Sequence, residues 1–141
     1  MRVLSPRLKA VVDALPLVPG TRVLEIGCGP GAMAREMAMR VGSEGHVLGI
    51  DRSAKAISQA EAGSRLEIGA GTLRFRQVKA EDFVLLDGEA PFDIVVAIRV
   101  GAFDGRHPQA GEKARPRIAA ALKPGGRFFI DGGAPLREIV L

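Results

Sequence analysis

Three glycines at alternate positions, Gly27, Gly29 and Gly31, stand between the short apolar run Val23-Leu24-Glu25-Ile26 and the segment Ala32-Met33-Ala34-Arg35-Glu36-Met37-Ala38-Met39-Arg40. The first run has the length of a strand and the second reads as a helix, so the glycines mark a strand handing over to a helix N-terminus. Glycine lets the backbone take φ > 0 and lets a ligand approach the main chain closely, which a Cβ would prevent. In open α/β sheets that junction binds nucleotide-like ligands. Taken alone it is equally consistent with hydride transfer, phosphate binding or methyl transfer.

The rest of the chain alternates apolar runs with helical segments. Ser5 is placed to cap, and Pro6 to open, a helix with Leu8, Val11, Val12 and Leu15 on one face, ending near Pro16. Strands are predicted at Arg22 to Ile26, Gly45 to Asp51, Leu73 to Val78 and Phe92 to Ile98. Ser53 caps a helix through Ile57 and Ala60, whose end is left open between Gly63 and about Ile68. After a polar loop, Phe103 to Pro108, a helix leads into Leu122; Pro116 either begins or bends it. Lys123-Pro124-Gly125-Gly126 reads as a turn before a fifth strand, Arg127 to Asp131. Five strands with helical crossovers imply a three-layer αβα, doubly wound, mainly parallel sheet.

At 141 residues, 47% hydrophobic, the chain is read as one domain over residues 1–141 with a continuous core. Its +4 formal charge is spread along the chain, which argues against a nucleic-acid arm. A single cysteine, Cys28, rules out an internal disulfide and fits a reducing compartment. The stretch Met1 to Arg7 lacks a signal-peptide apolar region, and no run has the length of a membrane span. The expectation is a soluble cytoplasmic protein. No pattern of metal ligands is read.

Four landmarks occur in one order: Glu25 to Gly31, Gly49-Ile50-Asp51-Arg52-Ser53, Ala80-Glu81-Asp82-Phe83, and Leu122-Lys123-Pro124-Gly125-Gly126-Arg127. That order resembles the class I S-adenosylmethionine-dependent methyltransferases, from about Val18 to Asp131. The resemblance implies S-adenosylmethionine as cofactor, with Gly27, Cys28 and Gly29 beside its methionine part and Glu25 helping to hold its ammonium group. It implies that Asp51, with Arg52 next to it, meets the ribose, since two carboxylate oxygens can accept from both hydroxyls. Ala80, Glu81 and Asp82 would recognise adenine. Here the chain departs from the common pattern, because the preceding residue, often aspartate, is Lys79, which cannot accept a hydrogen bond. Gly27, Gly29 and Ala32 with Asp51 also satisfy the looser dinucleotide spacing, so an NAD(P)-binding oxidoreductase is the rival. Against it stand Glu25 in the strand, Pro30-Gly31 in the turn, and too little chain for a second mononucleotide half.

Methyl transfer from sulfonium asks the protein to align the acceptor and exclude water, with a base needed only if the acceptor must lose a proton. Candidates for that role lie at the carboxyl ends of strands four and five: Arg99, Asp104, His107 and Asp131, with Arg99 also counted beside the cofactor. His46 and Cys28 are read as structural. The segment Ala97-Ile98-Arg99-Val100-Gly101 lacks the Asp-Pro-Pro-aromatic type of motif of nucleobase amine methyltransferases, and 4% aromatic content offers few stacking surfaces. An unidentified small-molecule acceptor is therefore expected. A non-catalytic or partner-dependent cofactor-binding module remains the alternative. Gly132 to Leu141 are expected to be too short for the family's C-terminal antiparallel hairpin, leaving the fifth strand as a parallel edge. Either Leu136, Ile139, Val140 and Leu141 fold over that edge, the domain is minimal or truncated, or a homodimer pairs it, the last being the preferred expectation.

Overall fold

Ser5 starts the first helix as its position predicts: its Oγ accepts from the Leu8 N–H at 3.2 Å, and α1 runs Pro6–Ala14. Val11, Val12 and Leu15 are buried and Leu8 half-buried, so the apolar stripe faces the core. The computed structural model describes residues 4–141; Met1, Arg2 and Val3, the start of the stretch read for a signal peptide, lie outside the described residues. The remaining elements are β1 Arg22–Ile26, α2 Ala32–Val41, β2 His46–Asp51, α3 Ala54–Ala62, α4 Arg65–Gly69, β3 Leu73–Gln77, a 3-10 turn at Ala80–Asp82, β4 Phe92–Ala97, α5 Pro108–Ala121, β5 Leu122–Asp131 and β6 Leu136–Ile139.

The six strands form one sheet in the order β3-β2-β1-β4-β5-β6. All neighbours are parallel except β5 and β6. Alternate residues point to opposite faces. Val23, Val47, Leu73, Ile94 and Val96 pack with Met33, Met37 and Val41 of α2 and with α1. Leu24, Leu48, Ile50, Val95 and Phe128 pack on the other side with Ala114 and Ile118 of α5 and with Phe83. This is the predicted three-layer doubly wound arrangement, and the strand order reverses between β1 and β4.

Where the sequence left a choice, the structure makes it. The helix begun by Ser53 stops at Gly63, and α4 is separate; Ser64 between them is fully buried and its Oγ accepts from Arg35 Nη1 at 3.0 Å. α5 does not begin at Pro116 but contains it, on an exposed face. Lys123 to Gly126 are part of the same strand as Arg127, so β5 starts earlier than predicted. They form a bulge: Phe92 pairs with Leu122 but Ile94 with Arg127, and Gly125 takes φ 79°.

One expectation is corrected. β5 is not left as a bare parallel edge, because a single four-residue strand, β6, folds back antiparallel on it and pairs Phe128 with Ile139 and Asp131 with Leu136. The residues after Asp131 thus add one short strand in place of a two-stranded hairpin. Folding back of Leu136 and Ile139, one of the alternatives, is what the chain does. The edge argument for a dimer loses its basis.

Candidate functional site

The loop after β1 is held in shape by its backbone. Gly27, Gly29 and Gly31 have φ of 72°, 53° and 89°, the left-handed region that side chains rarely adopt. A Cβ on Gly27 would come within 2.7 Å of Val100 Cγ2, so the loop passes close against the segment after β4. The Gly27 and Cys28 N–H groups both donate to the Ile50 carbonyl, at 2.8 and 3.0 Å. Arg35 of α2 donates from Nη1 to the Pro30 carbonyl at 3.0 Å, tying the far end of the loop to the helix it opens.

Asp51 closes this frame from β2. Its Oδ2 accepts from the Gly29 N–H at 3.0 Å and its Oδ1 from the Ser53 N–H at 2.9 Å. The sequence predicted a carboxylate facing a ligand; the structure shows its two oxygens bracing two backbone amides. Each carboxylate oxygen keeps a further lone pair for another donor.

Glu25 lies beneath the loop with 4% exposure, and among the described residues its Oε1 has no hydrogen-bond partner. Burial, and then the nearby Asp51 charge, push its carboxyl up to about 8. Burial also drives the Cys28 thiol far above its ordinary range, which keeps it an inert packing group.

Above this frame, at the carboxyl ends of β1, β2 and β4, is a cavity of about 310 Å³. Ligand crevices in open α/β sheets form where the strand order reverses, as it does here between β1 and β4. Gly27, Ile26 and Ile50 line its base. Asp51, Arg52, Lys79, Ala80 and Glu81 line one side, Arg99, Val100, Gly101, Arg106 and His107 the other.

Seven of the predicted site residues therefore share one cavity: Gly27, Asp51, Arg52, Ala80, Glu81, Arg99 and His107. Glu25, Cys28, Gly29, Asp82 and Asp104 are not on its wall. Asp82 lies exposed in the tight turn that aims its neighbour Glu81 inward. Asp104 is taken up by Arg106, whose Nε donates to both carboxylate oxygens at 2.9 and 2.8 Å. Sequence reasoning missed Arg106 and discounted Lys79, both of which line the cavity. The Asp104-Gly105-Arg106 spacing, opposite charges across a glycine, was the available signal for the former.

The imidazole of His107 packs against Gly101, where a Cβ would overlap its Cδ2. His46, by contrast, sits half-buried with Nδ1 3.0 Å from the Gly71 carbonyl, away from the cavity. Among the described residues no cluster of His, Cys, Asp and Glu is placed to hold a metal ion, and no helix is long and apolar enough to cross a membrane.

Comparison with known proteins agrees with this geometry. Residues 17–138 match the family described as a methyltransferase domain. Over 139 residues the chain is 34% identical to nocamycin O-methyltransferase of Saccharothrix syringae, covering 96% of this chain and 47% of that protein. It is 33% identical over 132 residues to protein-L-isoaspartate O-methyltransferase 2 of Arabidopsis thaliana, covering 87% and 38%. Among solved structures it resembles an S-adenosylmethionine-dependent methyltransferase from Geobacter sulfurreducens in complex with S-adenosyl-L-homocysteine. The TM-score there is 0.67 at 26% identity, over 92% of this chain and 50% of that one. The chain spans about half the length of the curated relatives it matches, or less.

Proposed function

The chain belongs to the class I S-adenosylmethionine-dependent methyltransferases, and from that premise we propose that it binds S-adenosylmethionine in the cavity beside Gly27 and methylates a small-molecule acceptor. The observation that carries this reading is the position of the cavity, at the strand-order reversal, with Gly27 at its base and Asp51 on its wall. Family membership favours methyl transfer over the dinucleotide chemistry that the glycine spacing also allowed.

The residues present fit the cofactor. Gly27 has no side chain where the loop borders the cavity. Asp51 has lone pairs left for ribose hydroxyls. Ala80 and Glu81 offer an edge for adenine, with Glu81 as acceptor. The unpartnered Oε1 of Glu25 is a buried polar atom beneath the loop that a cationic group nearby would favour in its ionised form. When bound, the cofactor supplies a methyl carbon on a positively charged sulfur.

The chain's own task is then positioning. Val100 and Gly101 border the cavity on the β4 side and restrict the space an acceptor can take, which sets its approach and excludes water. His107 brings an imidazole nitrogen to the wall, placed to accept the proton of an acceptor that must lose one. We further place the protein in the cytoplasm, on the single buried thiol of Cys28.

Calorimetry with S-adenosylhomocysteine, followed by turnover across an acceptor panel, tests the function. Binding by the parent, its loss in Asp51→Ala, and turnover with at least one acceptor are the expected results. Binding without any turnover favours a non-catalytic module. No binding by the parent refutes both.

A further inference from the structure

Among the described residues, the β4 side of the cavity is lined by no carboxylate. Its polar side chains are Arg99, Arg106 and His107, set among the small or apolar Val100, Ala102 and Ala110. The charge of Arg106 is already matched: its guanidinium grips Asp104, and its Nη2 donates to the Arg99 carbonyl at 3.0 Å. Arg106 thus braces the backbone of Arg99. Arg99 has φ 56°, the left-handed conformation in a residue that has a Cβ. Such an outlier persists only where its surroundings hold it. Among the described residues its guanidinium makes no hydrogen bond or ion pair.

The start of α5 adds to the same field. This helix is 14 residues long, its N-cap His107 makes no side-chain capping bond, and Pro108 has no N–H to offer. The first-turn amides of Gln109 and Ala110 are left without a cap, and Ala110 lines the cavity. A helix N-terminus favours negative charge. With Arg106 matched by Asp104, Arg52, Lys79 and Arg99 face two lining carboxylates, Asp51 and Glu81.

We propose that the acceptor carries a carboxylate, held by the Arg99 guanidinium and the first turn of α5, with its apolar body against Val100, Ala102 and Ala110; this rests on the cavity being the methyl-transfer site. A planar carboxylate matches the guanidinium fork with two parallel hydrogen bonds. A cationic amine would meet unpaired like charge at Arg99. Arg99 is exposed, so a neutral acceptor would leave its guanidinium to water and gain nothing from it.

The test begins with S-adenosylhomocysteine calorimetry on the parent. With that ligand bound, benzoate and 4-hydroxyphenylacetate are each compared with their amides by ligand-observed NMR at low salt. The expected result is at least tenfold tighter binding of the acids, a difference abolished in Arg99→Gln and partly retained in Arg99→Lys. Equal binding of acids and amides by the loaded parent, or an acid preference that survives Arg99→Gln, overturns the proposal. So does an Arg99→Gln variant that loses S-adenosylhomocysteine tenfold while binding 5′-methylthioadenosine like the parent, because Arg99 would then serve the amino-acid end of the cofactor. A parent that fails to bind S-adenosylhomocysteine refutes the function beneath the proposal. A loaded parent without acid preference refutes the proposal alone.

Discussion

Replacing Glu25 by glutamine removes a titrating group from the core while keeping its size and polarity, and the effect on stability depends on pH in a way the structure dictates. In the folded protein the Glu25 carboxyl is raised from an ordinary 4.5 to about 8, first by burial and then by Asp51. Between those values the unfolded chain has released the proton and the folded chain still holds it. Stability therefore falls as pH rises through this window, is fully present below 4.5, and has lost its whole increment above 8. Each tenfold difference in proton affinity is worth about 1.4 kcal/mol, so the increment approaches ~5 kcal/mol at its limit and changes by ~3 kcal/mol between pH 5 and pH 7.5. That is a large part of the ~5–15 kcal/mol stability of an ordinary domain. The glutamine side chain is neutral in both states, so the variant does not lose stability across this window. Titrating groups that do not interact with Glu25 are common to both proteins and cancel in the comparison. Urea unfolding of parent and Glu25→Gln at pH 5, 6 and 7.5 is the assay, with equal m-values as the check that both unfold alike. The variant should gain on the parent steadily with pH, from near parity at pH 5 to ~3 kcal/mol more stable at pH 7.5. Two stability curves that stay parallel across that range refute the reasoning.

Gly27→Ala should be costly twice over. The left-handed φ of 72° penalises any Cβ by about 1–2 kcal/mol, and that Cβ would meet Val100 Cγ2 at 2.7 Å. A lowered Tm and at least a tenfold loss of S-adenosylhomocysteine affinity are expected; an unaltered affinity counts against the loop as a cofactor wall. Gly101→Ala would place a Cβ on the His107 ring and push it from the cavity. The His107 NMR resonances should shift and turnover should fall, whereas an unmoved resonance contradicts the packing. Arg76 holds Glu89 with two hydrogen bonds, at 3.2 and 2.6 Å, and its guanidinium lies 5.5 Å over the Phe83 ring. Burial works to raise the Glu89 carboxyl, but the bonds from Arg76 and the Leu86 N–H outweigh it and hold it below 4.5. The pair therefore contributes above 4.5 and is lost as pH falls through the lowered value. Arg76→Ala should cost on the order of 1–3 kcal/mol at pH 7 and less at pH 3 in urea unfolding; an equal cost at both pH values rejects the ion-pair account.

Much of the fold is legible in short windows because the interactions that form it are local. β1 and α2 occupy the residues their periodicity marks, and Ser5 and Ser53 cap the helices they precede, since a cap is made within three residues. The β6 pairing was missed because Leu136–Ile139 gain their partners from β5 across the hairpin, and four residues carry too little pattern to announce a strand. In the site, regular elements deliver their side chains to foreseeable places: Gly27 follows β1 and Asp51 ends β2. The loop after β4 does not. Asp104 and Arg106 are two residues apart, yet the acid turns to its neighbour and the arginine reaches the cavity, a choice set by the Arg99 carbonyl that Arg106 also bonds.

By itself the sequence determined the order of the first five strands, the glycine hand-over and the acid twenty positions after Gly31, because each follows from backbone preferences and side-chain period within a few residues. Tertiary structure decided the ionisation of Glu25, the cationic wall opposite Glu81 and the covering of β5. Those depend on burial, field and pairing among residues far apart in the chain, which local pattern does not record.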